Sequence, residues 1–119
     1  MIQYFYREPK YPILVETDAR VVGARSPEKI DRLCKETSFI AKCSYIVIDS
    51  TGEGWSFSSD HEVISPLTAY KRWTKAKIIE FYNTSLDQGD KFTQYKPGSL
   101  SSKRLEQIVQ EIVEHESKL

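Results

Sequence analysis

The run Tyr45-Ile46-Val47-Ile48 limits the possible folds of this chain more than any other segment. Its β-branched residues favour an extended backbone, and in a strand successive side chains point to opposite faces. A strand that is apolar on both faces belongs in the middle of a sheet. That sheet must be covered on both sides, or on one side with a subunit contact on the other. The strand ends at Asp49. Ser50-Thr51-Gly52-Glu53-Gly54 then reads as a loop, its glycines supplying positive φ. Trp55-Ser56-Phe57-Ser58 alternates apolar with polar, which predicts a half-buried strand closing a hairpin.

A second hairpin is predicted upstream, about 12–16 with 20–24, from Ile13-Leu14-Val15 and Val21-Val22 around a polar turn. Residues 2–6 can add an edge strand that Pro9 stops. Ser26-Pro27-Glu28 signals a helix start, with Ser26 accepting from a free backbone N–H and Pro27 in the first turn. Ile30, Leu33 and Cys34 then share one face, to about Thr37. Ser65-Pro66 repeats the cap-then-proline signal and predicts a short helix with Leu67 and Tyr70 on one side. Thr74 caps the next helix, with Trp73 and Ile78 as a hydrophobic staple, and Asn83-Thr84-Ser85 ends it.

Residues 84–100 read as a long loop with a possible edge strand near Phe92–Tyr95. The last helix, capped by Ser101, carries Leu105, Ile108, Val109, Ile112 and Val113, an i, i+3, i+4, i+7, i+8 stripe. The predicted architecture is a single α+β domain over residues 1–119. It is an antiparallel sheet of two hairpins plus a possible edge strand, packed by about four helices.

A chain of 119 residues buries enough surface to need no staple. Its two cysteines, Cys34 and Cys43, match neither a redox pair nor a zinc set. Cys34 is expected to be a buried structural thiol. No apolar run reaches the ~18–20 residues of a membrane span, and the first residues lack the pattern of a signal peptide. A cytoplasmic location and no membrane partner are expected.

Net charge is zero, but it is segregated. Residues 44–67 carry Asp49, Glu53, Asp60 and Glu62 with no Lys or Arg, for a net −4. Residues 68–83 carry Lys71, Arg72, Lys75 and Lys77 against Glu80, for a net +3. Solvated faces explain such blocks without function, and a bipolar surface that orients a partner explains them with one.

Catalytic constellations are weak. Ser58-Ser59-Asp60-His61-Glu62 holds the residue types of a hydrolase triad, but neighbours in an extended chain point apart. His115 suits the end of the last helix, where the dipole favours a cation. Asp49–Gly54 has no lysine and is followed by a strand, unlike a phosphate cradle. Asn83-Thr84-Ser85 matches a glycosylation sequon but reads as a polar helix end.

The leading expectation is a non-enzymatic binding or regulatory module acting through protein–protein contact. Its partner surface comprises Asp49, Glu53, Trp55, Asp60, Glu62, Tyr70, Lys71, Arg72, Trp73, Lys75 and Lys77. No cofactor, metal or catalytic residue is expected. The alternative is a nucleic-acid-binding protein using the basic-aromatic segment 70–77, with Trp73 stacking on a base. A third reading is a small enzyme or ligand-binding domain with its site near 58–62.

Overall fold

The computed structural model describes residues 2–36, 38–67, 72–86, 94–96 and 102–117. Among them the element order is β1 (Gln3–Tyr4), β2 (Ile13–Glu16), β3 (Val21–Ala24), α1 (Pro27–Lys35), β4 (Ser44–Ile48), β5 (Gly54–Ser58), β6 (Val63–Pro66), α2 (Lys75–Thr84) and α3 (Leu105–Ser117). The six strands form one sheet in the order β1-β6-β5-β4-β2-β3.

The two expected hairpins pair, but the sheet holds a third, β5 with β6, beyond the two that the sequence predicts. Glu16 opposes Val21 across the first, and Ile48 opposes Gly54 across the second. Thr17 closes the first turn, its hydroxyl donating to the Arg20 carbonyl at 2.6 Å and accepting from the Arg20 amide at 3.2 Å. Pro27 opens α1, but Ser26 makes no side-chain cap. Thr74 does cap α2, accepting from the Lys77 amide at 3.3 Å.

Three further expectations are corrected. Ser65-Pro66 ends β6 instead of opening a helix, so the described residues hold three helices and not four. A residue before proline is extended both at a helix cap and in a strand. The choice falls to Ile64, which is fully buried opposite Phe57 and ties the segment to the sheet. The sheet is also mixed, not wholly antiparallel, because β1 lies parallel to β6. Finally, Gly52 has φ +84, as a turn glycine should, but Gly54 has no positive φ and begins β5. The expected cap Ser101, and residues 92–93 of the possible edge strand, lie outside the described residues. Tyr95 is held by Asn83, whose side-chain amide accepts from the Tyr95 N–H at 2.8 Å and donates to its carbonyl at 3.0 Å.

The apolar-on-both-faces strand is indeed covered on both sides. Tyr45 and Val47 of β4 join Ile13, Val15, Trp55 and Phe57 beneath Ile30 and Leu33 of α1. Ile48 joins Leu14 and Val21 on the opposite face, beneath Ile78 and Tyr82 of α2 and Ile108, Val109 and Ile112 of α3. Gly23 permits the close approach of α3, since a Cβ there would stand 2.9 Å from the Val113 side chain and 3.0 Å from its Cα.

The cover on this second face is uneven. The two helices pack over β2 and β3. There the sheet presents Leu14, Val21 and Gly23. Over β4 and β5 the same face presents Ser44, Ile46 and Ser56, and the described residues leave this half open.

Candidate functional site: an open groove on the second sheet face

The open half of the face is a groove of about 670 Å³, within the range of binding pockets. Its floor is Ser44, Ile46 and Ser56, and its apolar walls are Leu67 and Trp73. The Ser44 and Ser56 hydroxyls hydrogen-bond each other at 2.8 Å, which satisfies part of their polarity while their small size leaves depth.

Trp73 and Leu67 lean onto the sheet because residue 54 is glycine. A Cβ there would stand 3.0 Å from the Trp73 Nε1 and 3.7 Å from Leu67. The Trp73 amide donates to the Gly52 carbonyl at 2.8 Å, and its ring packs tilted on Phe81 with centroids 5.2 Å apart. Trp73 is thus half-buried, part staple and part groove wall.

Charge on the rim is asymmetric. At one end Lys42 meets the Glu16 carboxylate at 3.0 Å, and the other Glu16 oxygen accepts from the Ile46 amide at 3.1 Å. That bond takes the place of a ladder bond, because β2 and β4 pair only at Leu14↔Ile48 and Val15↔Val47. At the other end Arg72 and Lys77 are exposed and make no ion pair with a described residue. A smaller cleft of about 300 Å³ at Tyr11, Pro12, Arg25, Gln110 and Glu114 carries one charge of each sign.

The eleven residues expected on the partner surface separate widely. Arg72, Trp73 and Lys77 come together in the groove. Lys75 spends its ammonium on the Lys103 carbonyl at 2.8 Å, tying α2 to the segment before α3. Tyr70 and Lys71 lie outside the described residues. Trp55 is 0% exposed and Asp49 is 2% exposed, so neither can form a surface.

Asp49 instead organises its loop. One carboxylate oxygen accepts from the Thr51 amide, the Thr51 hydroxyl and the Glu53 amide, and the other from the Trp55 indole and the Lys10 amide. Glu53 is taken by Arg7 through both guanidinium nitrogens, and Arg7 lies over the Trp55 ring, 5.0 Å from its centroid. Asp60 and Glu62 sit on the β5–β6 turn, away from the groove lining, with Glu62 at φ 53. Half of the acidic block, Asp49 and Glu53, is therefore consumed inside the fold.

Sequence reasoning missed Glu16, Lys42, Ser44, Ile46, Ser56 and Leu67 as groove residues. The usable signal was Ser56 in the alternation of β5, which marks a face that neither α2 nor α3 covers.

Of the hydrolase-like residues 58–62, Ser58 ends β5 and the rest form that same β5–β6 turn, with Asp60 and His61 exposed. Among the described residues no group of three His, Cys, Asp or Glu is placed to hold a metal. Asp60 bonds the exposed Cys43 and pushes its thiol up. Cys34 is half-buried against the α1-side core, not fully buried as expected, and burial with Glu62 beside it pushes its thiol to about 11.

The two thiols should consequently behave differently. At pH 8 a thiol of that acidity is only about 0.1% thiolate, the reactive form. A maleimide titration should find one fast site, lost in Cys43→Ser, and one slow site whose rate climbs about tenfold per pH unit below 11. Modification of Cys34 at the rate of a free thiol near neutrality would contradict this assignment.

No described protein family, curated protein or solved structure matches this chain. No helix among the described residues is long and apolar enough to cross a membrane.

Proposed function

We propose that the protein is a non-enzymatic binding module that grips an acidic segment of a partner protein in the groove on its second sheet face. The observation that carries this reading is the convergence of Arg72 and Lys77, unpaired among the described residues, on an apolar groove walled by Trp73 and Leu67. Tryptophan and arginine beside a desolvated pocket are the residue types that dominate binding energy at protein interfaces. A cytoplasmic setting belongs to the same proposal, consistent with two free cysteines.

The nucleic-acid reading has less support. Phe81 and Gly54 occupy much of the Trp73 ring, and Lys75 is already bonded. Stacking needs an open ring face, and phosphate contact needs free cations.

The test uses capture from lysate, with and without nuclease treatment, by three proteins: wild type, R72E/K77E, and R32E/K35E. The last carries the same charge change on exposed positions of α1, over the opposite face. A protein retained by wild type and by R32E/K35E but lost by R72E/K77E is the expected result. With that partner purified, the groove reversal should slow association about tenfold or more at low salt, since rim charges act mainly on the encounter rate. Capture that vanishes with nuclease treatment would favour the nucleic-acid reading. Equal loss in both reversals would show that the groove is ordinary surface.

A further inference from the structure

The geometry points to a recognition rule: we propose that the groove reads an apolar–acidic pair on its partner. An aliphatic or aromatic side chain sits over Ile46 between Leu67 and Trp73, and a carboxylate beside it meets Arg72 and Lys77. This inference rests on the protein-contact reading above and specifies the chemistry of the segment bound.

Two features of the groove set the pair and its orientation. The seat is apolar at its centre, because Ile46 is the one large floor residue and the flanking serine hydroxyls already bond each other. A purely acidic chain would leave that seat filled with water and forgo apolar burial. The charge is confined to one end. Lys42 is matched by Glu16, whereas Arg72 and Lys77 have no ion pair among the described residues. Glu16 is held by the Ile46 amide and by Lys42, so its carboxylate stands beside the seat already matched to a cation. A second acid placed there finds no free cation, because Lys42 is already paired with Glu16. The acid of the partner therefore lies at the α2 end only.

Nuclear magnetic resonance of the 15N-labelled full chain tests this directly, because the chain has two tryptophans. The Trp73 indole reports on the groove. The Trp55 indole, fully buried and bonded to Asp49, is an internal control. The probes are the peptide N-acetyl-Phe-Ser-Glu-amide, its Gln analogue, tetraglutamate and an eight-residue oligothymidylate.

Saturable movement of the Trp73 signal alone is expected with the Phe-Ser-Glu peptide. The Gln analogue and tetraglutamate should each bind about fivefold or more weakly, and R72E/K77E should weaken the peptide about tenfold. Glu16→Gln, which also frees Lys42, should narrow the gap between tetraglutamate and the peptide. If tetraglutamate binds as well as the peptide, the groove reads charge alone; the pair rule falls and the protein-contact reading stands. If the Gln analogue binds equally, the acid is not read and the pair rule falls. If only the oligothymidylate moves Trp73, or no probe does, both readings fail together.

Discussion

Ile108→Ala and Ile112→Ala should each destabilise the fold by about 2–5 kcal/mol, the range for removing a fully buried branched side chain. Both residues are 0% exposed and pack against Leu14, Val21 and Ile48. The site has little freedom to collapse around the cavity. Gly23 already brings α3 so near the sheet that a single added Cβ would touch the Val113 backbone at 3.0 Å. Interiors packed this closely relax only partly, so the cost should lie above the transfer term alone. Urea unfolding measures it, with exposed Gln110→Ala as a control that should stay within about 0.5 kcal/mol. Deletion of residues 101–119 should abolish the cooperative transition. A truncated chain that still melts cooperatively would make α3 a detachable tail.

Asp49→Ala should cost about 3 kcal/mol or more, although the residue carries a charge that sequence alone places on a surface. Its carboxylate accepts five hydrogen bonds, including the Trp55 indole at 3.2 Å and the Thr51 and Glu53 amides at 2.9 and 3.1 Å. Truncation leaves several donors without an acceptor in a buried site, at about 1–3 kcal/mol for each that water cannot reach. Asp49→Asn should lie between the two, because its NH₂ group must face a donor on one side. Stability should fall with a change in the emission of Trp55, which loses its partner. A variant as stable as wild type but defective in partner capture would return Asp49 to the contact surface.

The difference between Asp49 and Arg72 shows what local pattern can and cannot decide. Period-two and period-3.6 patterns are short-range, and they identified two of the three hairpins, α1 from Pro27, α2 from its Thr74 cap, and the α3 stripe. Tyr45-Ile46-Val47-Ile48 required cover on both sides, and α1 supplies one side while α2 and α3 supply the other. Ser65-Pro66 was ambiguous because strand and helix cap share the same extended backbone; pairing of Ile64 with Phe57 broke the tie.

What only the tertiary structure decided is where each charge ended. A carboxylate counts as surface charge only if no buried donors claim it, and the donors around Asp49 come from Lys10, Thr51, Glu53 and Trp55 together. The parallel seat of β1 on β6 joins segments some 60 residues apart, Gln3 with Val63, beyond the reach of any periodicity. The groove itself is a consequence of helix placement. Ser56 announced a polar face, but that the described residues leave it open depends on α2 and α3 packing over β2 and β3, where Gly23 lets α3 approach.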